Sequence, residues 1–129
     1  MKLNPDCIRD VLIAVESCDF GERLNLDSLH DACPQYTENE LWYTCLKLNE
    51  GNFLDIDTVS WVHSTMPSIK SINCLTFSGH EFLANIQPNT IWEDTKKVIK
   101  KIGVTSIQNL SVIASGVVTA IIKSQLGLA

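Results

Sequence analysis

The amino-acid sequence predicts an α+β protein: a winged-helix-like domain of three helices and a β-hairpin, followed by C-terminal helices. In residues 1–50, apolar side chains recur at three- and four-residue spacing, which is typical of helices. Residues 52–77 alternate partly and are rich in β-branched and aromatic side chains, which is typical of strands. Helical spacing then returns. We expect the winged-helix-like domain to span residues 1–87 and a helical extension of two helices to span residues 88–129.

The first helix is predicted from its start signal and its apolar stripe. Asn4 is a good N-cap residue, and Pro5 after it suits the first turn of a helix. The helix should end near Cys18. Its stripe, at three- and four-residue spacing, consists of Ile8, Val11, Leu12 and Val15.

Two more helices follow closely. A short second helix is expected to be capped by Asp27 and ended by Pro34. Thr37 and Glu40 match a capping box, in which each side chain bonds the backbone N–H of the other residue. This box predicts a third helix over residues 38–49. Two helices joined by a tight turn are the elements of a helix-turn-helix.

The hairpin is predicted from two strand-like segments, FLDIDTVSWV at residues 53–62 and IKSINCLTF at residues 69–77. Its tip should lie near Met66 and Pro67. After it, Ser78 and Glu81 fit a second capping box, which gives Glu81 a structural role at the start of the next helix.

Two helices are predicted in the C-terminal extension. The first spans residues 90–102 and ends at Gly103, with an apolar side opposite Lys96, Lys97, Lys100 and Lys101. These lysines predict either a solvated helix face or a surface for phosphate or an acidic partner. A third capping box at residues 105–108 opens the last helix, which should run to about Leu126. Its wide apolar stripe comprises Ile107, Leu110, Ile113, Ala114, Val117, Val118, Ile121 and Ile122.

Charge is distributed unevenly along the chain. The net charge is −5, but residues 1–59 hold twelve carboxylates against four cationic side chains (net −8), and residues 60–129 hold three against six (net +3). An acidic N-terminal half would repel the phosphates of nucleic acids, which are bound by clusters of Lys and Arg.

The five cysteines form no CxxC pair, so the sequence predicts neither a zinc site nor a thioredoxin-type motif. Reduced thiols in a cytoplasmic protein are expected instead. No secretory signal is recognisable at the N-terminus. Residues 104–122 lack charge, but Ser, Thr, Asn and Gln interrupt them, so we expect no membrane span.

Catalytic motifs are not found in the sequence. His80 and Glu81 do not match the zinc-protease motif HExxH, because Ala84 occupies the position of the second histidine. The sequence contains no GxSxG, P-loop or GxGxxG pattern. We therefore expect a protein that is not an enzyme and that needs no metal and no cofactor.

Two short motifs resemble a known family. NPDCIRD, within MKLNPDCIRDVL at residues 1–12, and GHEFL, within LTFSGHEFLANI at residues 75–86, are followed by WEDTKKVIKKIG and GVVTAIIKSQL. Together these segments resemble a family of small phage- and prophage-associated proteins of unknown function. The similarity covers residues 1–126 and is weakest over residues 52–73. The resemblance implies a winged-helix-like fold, a phage or prophage setting and a cytoplasmic life in the bacterial host, and it implies no catalytic residue.

The final helix is the first candidate site. A surplus of apolar area on a soluble protein usually marks an interface, although packing onto its own domain is the alternative for this helix. We expect a protein-interaction module that binds or inhibits a host factor, including a defence component, and that self-associates. The interface is expected to consist of Ile107, Leu110, Ala114, Val117, Val118, Ile121 and Ile122.

The second candidate site is the helix over residues 38–49 together with the wing, in a DNA-binding transcriptional regulator. Such a protein would read DNA with the second helix of the helix-turn-helix. The residues expected to contact nucleic acid are Asn39, Tyr43, Thr44, Lys47 and Lys70. The acidic charge of the front half disfavours this alternative.

Overall fold

The computed structural model of the protein describes residues 1–103 and 106–128. Its element order confirms the predicted α+β class, with a winged-helix-like arrangement and C-terminal helices. The elements within the described residues are α1 (Pro5–Glu16), α2 (Leu26–Ala32), α3 (Glu38–Glu50), β1 (Leu54–Val59), β2 (Ser68–Leu75), α4 (Phe77–Ile86), α5 (Asn89–Ile102) and α6 (Ile107–Gln125).

Helix α1 begins as predicted. Asn4 Oδ1 accepts a hydrogen bond from the backbone N–H of Asp6 at 3.0 Å, and Pro5 is the first helical residue. The helix ends at Glu16, where Ser17 Oγ donates back to the carbonyl oxygen of Ile13 at 2.8 Å. Its buried residues are the predicted stripe together with Cys7.

Helices α2 and α3 have one start that was predicted wrongly and one that is confirmed. Asn25, rather than Asp27, caps α2: Asn25 Oδ1 accepts from Ser28 N at 2.8 Å, and Ser28 Oγ accepts from Asn25 N at 2.9 Å. Asp27 lies within the first turn. At α3 the predicted box is formed, because Thr37 Oγ1 accepts from Glu40 N at 3.1 Å and Glu40 Oε1 accepts from Thr37 N at 3.3 Å.

The hairpin pairs β1 with β2 in antiparallel order, from Leu54 opposite Leu75 to Val59 opposite Ser68. A short extended piece before α2 adds to it, since Leu24 and Ile72 exchange backbone hydrogen bonds of 2.9 and 2.7 Å. Through this bridge the extended segment takes the place of the third strand of a winged-helix sheet. The first strand ends at Val59, so residues 60–67 form a longer loop than the sequence predicts.

The joint between β2 and α4 differs from its prediction. Thr76, rather than Ser78, is the N-cap, and its Oγ1 accepts from Gly79 N at 3.0 Å. The helix therefore begins at Phe77, which is exposed instead of closing the strand. Glu81 is exposed and has no capping role, because a capping partner must lie three residues after the true N-cap.

Gly79 is required at this joint by close packing. A Cβ atom at this position would clash with the carbonyl oxygen of Phe53. The approach is fixed from both sides, since Thr76 N donates to Phe53 O at 3.2 Å and Thr76 Oγ1 donates to Asn52 O at 2.6 Å. The glycine therefore lets α4 start directly against the segment that enters β1.

Helix α5 is fastened to α1. Trp92 Nε1 donates to Asp6 Oδ1 at 3.0 Å, and Arg9 donates to the carbonyl oxygens of Ile86 at 2.9 Å and Gln87 at 2.5 Å. Trp92 is buried in the same apolar cluster as α1 and α4. The core is thus continuous across residue 87, and the division of the chain at that point stays a prediction.

Gly103 ends α5, and Ser106 begins α6. Gly103 adopts a left-handed conformation (φ 78°) that glycine tolerates, and it ends α5 as predicted. Ser106 caps α6, since its Oγ accepts from Asn109 N at 3.1 Å. Thr105, the first residue of the predicted capping box, lies outside the described residues.

Candidate functional site

Helix α3 presents three of the predicted contact residues on its outward side. Asn39 is exposed, whereas Tyr43 and Lys47 are half-buried. Lys47 is already engaged: its Nζ lies 2.8 Å from Glu50 Oε2 and 5.4 Å from the centre of the Tyr43 ring. The hydrogen bond to Glu50 raises the pKa of Lys47, so the ammonium is charged but compensated. Little cationic field is left for a phosphate.

Thr44 does not belong to this outward side, which corrects its prediction as a nucleic-acid contact. Its side chain is 2% exposed, and its Oγ1 lies 3.5 Å from Cys7 Sγ. The reason is helical spacing: Thr44 follows Leu41 by three residues and precedes Leu48 by four, and both leucines are buried against α1 and its neighbours.

The loop over residues 60–67, hereafter the wing tip, is held to α3 by one side chain. Trp42 Nε1 donates to the carbonyl oxygen of Pro67 at 2.9 Å. Shallow depressions flank this contact: one is lined by Asn39, Tyr43 and Met66 among others, and the next by Tyr43, Lys47 and Met66. Lys70 lines neither depression and lies on the exposed side of β2.

The wing tip exposes two large apolar side chains among polar ones. Trp61 is 63% exposed and Val62 is 94% exposed, because β1 ends before them and no other element covers them among the described residues. His63 is the only titratable side chain of the tip. We call the outward side of α3 together with the wing tip the wing face.

Helix α6 divides into two halves with different environments. Ile107, Leu110 and Ala114 are buried against α4 and α5. These three positions are corrected from partner interface to core, because the domain's own helices cover them. Residues 115–125, hereafter the projecting half, continue the same stripe with half-buried Val117 and Val118 and with exposed Ile121 and Ile122, whose role in an interface stays a prediction.

By length and composition alone, α6 could cross a membrane. It has 19 residues and a mean hydropathy of 1.3 in its most apolar window. However, its first half is packed on the domain, and the projecting half is only about 16 Å long, whereas a hydrocarbon core is about 30 Å thick.

His80 lines a groove that the sequence did not predict. The groove, of about 470 Å³, lies between the end of α1, the hairpin and the start of α4. Its charged side chains and its histidine come from three separate segments: the end of α1 with the turn after it, β1, and the start of α4. They are Glu16, Asp19, Glu22, Arg23, Asp55 and His80. Among the residues that the structure describes, no group of three or more His, Cys, Asp or Glu side chains is placed to hold a metal ion.

A comparison with models of protein families identifies the family of the chain. A model described as "Hypothetical protein (DUF2513)" matches residues 2–105. The chain belongs to this family. The match includes α1 to α5 and ends before α6. No curated protein and no solved structure matches the chain.

The polar residues of the NPDCIRD motif stabilise the fold. Asn4 caps α1. Asp6 accepts a hydrogen bond from Trp92 Nε1, and Arg9 donates one to the carbonyl oxygen of Ile86 at the end of α4. Asp10 Oδ2 accepts from Tyr36 Oη at 2.6 Å. Burial and this hydrogen bond both raise the pKa of Tyr36, so the phenol keeps its proton. The polar residues of this motif thus make hydrogen bonds that stabilise the fold.

The lysines of α5 do not form one uniform patch. Lys96 Nζ lies 3.2 Å from Asp6 Oδ1 and 3.3 Å from Glu93 Oε1, which makes it part of the α1–α5 contact. Lys97, Lys100 and Lys101 are exposed, as a solvated helix face would be. A binding role for these three stays a prediction.

Proposed function

We propose that the protein is a non-enzymatic protein-interaction module that binds a protein of the bacterial host in the cytoplasm, in a phage or prophage setting. Binding or inhibition of a host factor, including a defence component, is the role that we assign to it. The phage setting rests on the resemblance in the NPDCIRD and GHEFL motifs.

The observation that carries this proposal is the chemistry of the wing face. In a winged helix that reads DNA, this face carries cations that contact phosphates. Here it offers exposed Trp61 and Val62, while Lys47 is paired with Glu50 and Glu38 is exposed. Aromatic anchors with few free charges are typical of the centre of a protein–protein interface.

The projecting half of α6 supports the same class of function. Its apolar stripe extends beyond the part of α6 that the domain covers, so it leaves Ile121 and Ile122 exposed. Such a surface suits a protein partner or a second copy of the chain. The protein thus has two separate surfaces for contacts with proteins.

A DNA-binding regulator is the second candidate. The helix-turn-helix arrangement favours it, and exposed Asn39 lies where a reading helix contacts bases. Against it stand the pairing of Lys47 and the net charge of −5. A regulator of this kind would need cations that the wing face does not offer.

A quantitative pull-down from host lysate separates the two candidates. We compare the tagged wild-type protein with a Trp61→Ala, Val62→Ala variant and with an Asn39→Ala, Lys47→Ala variant. The first variant should lose most of the retained protein, because truncating an aromatic anchor typically costs about 2 kcal/mol or more. Phe20→Ala removes another exposed aromatic side chain, outside the wing face, and is the matched control.

The proposal is contradicted if the wing-tip variant retains its partner as the wild type does. If DNA is retained instead, and only the Asn39→Ala, Lys47→Ala variant loses it, the regulator replaces the interaction module. Circular dichroism of each variant checks that the fold is intact.

A further inference from the structure

We infer that the stripe of the projecting half is covered by the same half of a second copy, with the two α6 helices antiparallel. This inference rests on the proposed function, since it names the partner of one of its two surfaces. It leaves the wing face free for a host protein.

The spacing of the stripe matches a helix–helix seam. Ile107, Leu110, Ala114, Val117 and Ile121 follow one another at intervals of three, four, three and four residues. This is the alternation of the a and d positions in a heptad, which packs one helix along another. The first three residues are already packed against helices α4 and α5. The remaining two therefore present to solvent a surface of the kind that another helix covers.

Charge favours the antiparallel arrangement. Residues 1–103, the body that carries α6, hold all fifteen carboxylate side chains and nine of the ten cationic ones (net −6), whereas residues 106–128 hold Lys123 and no carboxylate side chain. A parallel pair would bring two acidic bodies side by side, which costs electrostatic energy. An antiparallel pair separates them to opposite ends and brings Lys123 of each copy to the end of the pair where the acidic body of the other lies.

The heptad positions also set a register. When Val117 of one copy faces Ile121 of the other, the twofold axis passes near residue 119, and residues 115–123, which the domain leaves uncovered in both copies, overlap over about 13 Å. Val112 and Lys123 then lie on the outer side of the pair, because they are about half a turn away from the seam. An overlap of this length buries less than the roughly 1,200 Å² of a standard stable interface, so the dimer should dissociate on dilution.

The oligomeric state tests the pairing. Size-exclusion chromatography with light scattering should give twice the 14.4 kDa of one chain at high concentration and approach 14.4 kDa on dilution. Val117→Glu should give the monomer mass at every concentration. Val112→Glu is the matched control on the same helix: Val112 is 58% exposed and lies off the seam, so this variant should dimerise like the wild type.

Disulfide trapping tests the direction of the helices. All five cysteines are free, and Cys18 and Cys74 are the two that are not buried, so Cys18→Ser, Cys74→Ser serves as the background. In an antiparallel pair, a mixture of Val117→Cys and Ile121→Cys chains should cross-link. Val117→Cys alone should not, since its two sulfur-bearing positions are offset by about 6 Å along the axis.

Three outcomes overturn the inference: a monomer at all concentrations, a dimer that Val117→Glu leaves intact, or cross-linking of Val117→Cys with itself. Binding of the wild-type monomer to anionic vesicles, lost in Val117→Glu, would assign the stripe to a membrane surface instead. None of these outcomes touches the pull-down through the wing face, so failure of the pairing and failure of the proposed function are distinguishable.

Discussion

Trp42 Nε1 donates to the carbonyl oxygen of Pro67 at 2.9 Å, across 25 residues of the chain. This hydrogen bond joins α3 to the base of the wing tip and sets the shape of the wing face. Trp61, which is 19 residues further along the chain than Trp42, points outward and is available to a partner. Trp42 therefore positions the wing tip against α3, and Trp61 is exposed on the wing face.

Trp42→Phe should lower the free energy of unfolding by about 1 kcal/mol, because it removes the donor while keeping most of the apolar ring. Urea denaturation measures this change. Trp61→Phe is the control and should leave stability unaltered, since Trp61 is 63% exposed and its indole has no described hydrogen bond. Equal effects of the two substitutions would mean that the bond to Pro67 does not hold the wing.

Gly79→Ala should destabilise the protein by about 1–3 kcal/mol or more, because the added methyl group meets the carbonyl oxygen of Phe53. Gly116→Ala makes the same chemical change in open space within α6 and should stabilise it by about 0.5–1 kcal/mol. Thermal unfolding followed by circular dichroism measures both changes. A neutral Gly79→Ala variant would be inconsistent with the tight joint between β1 and α4.

Arg9→Met should destabilise the protein by about 1–3 kcal/mol, since it leaves the carbonyl oxygens at the end of α4 without their donors. The comparison is Arg23→Met. Arg23 is exposed, and its nitrogen lies 3.8 Å from Asp57, a long surface pair that contributes little. If chemical denaturation finds the two variants equally stable, Arg9 does not fasten α4 and α5 to α1.

Stability should fall as the pH rises above 9. Burial raises the pKa of Cys7 from 9.0 to about 11, and that of Cys45 from 9.0 to about 12. In the unfolded chain these thiols lose their protons from about pH 9, before the folded protein does, so ionisation favours unfolding. The stabilisation is complete below pH 9 and is lost as the pH rises through the folded pKa values.

The measurement for this prediction is the urea midpoint between pH 7 and pH 11. Cys7→Ala removes one of the two groups, so its midpoint should fall less steeply with pH than that of the wild type. Parallel curves for the two proteins would show that Cys7 does not carry this dependence.

Element types were predictable from the sequence because apolar spacing and capping signals act locally. The Thr37–Glu40 box and the stop at Gly103 depend only on neighbouring residues, and both predictions are confirmed. Two of the N-caps were predicted wrongly, at Asp27 and Ser78. In each case an alternative cap residue lies two positions earlier. Asn25 forms a local capping box with Ser28, whereas Thr76 also bonds the distant Asn52, a contact that local sequence does not reveal.

Surfaces were less predictable, because they depend on which neighbours cover a side chain. The apolar stripe of α6 is continuous in sequence, yet α4 and α5 cover Ala114 and not Ile121. Likewise, the exposure of Trp61 follows from the end of β1 at Val59, although the sequence continues with strand-like residues. The cation count of the chain, in contrast, is visible without a structure, and it disfavoured nucleic acid from the start.

The most direct test of the central claim is to identify what the tagged wild-type protein retains from host lysate, before and after nuclease treatment. Mass spectrometry identifies retained protein, and a nucleic-acid stain detects retained DNA. The account predicts a specific protein that survives nuclease and is lost with the Trp61→Ala, Val62→Ala variant. Retention of DNA that nuclease removes, with no protein left, would contradict it.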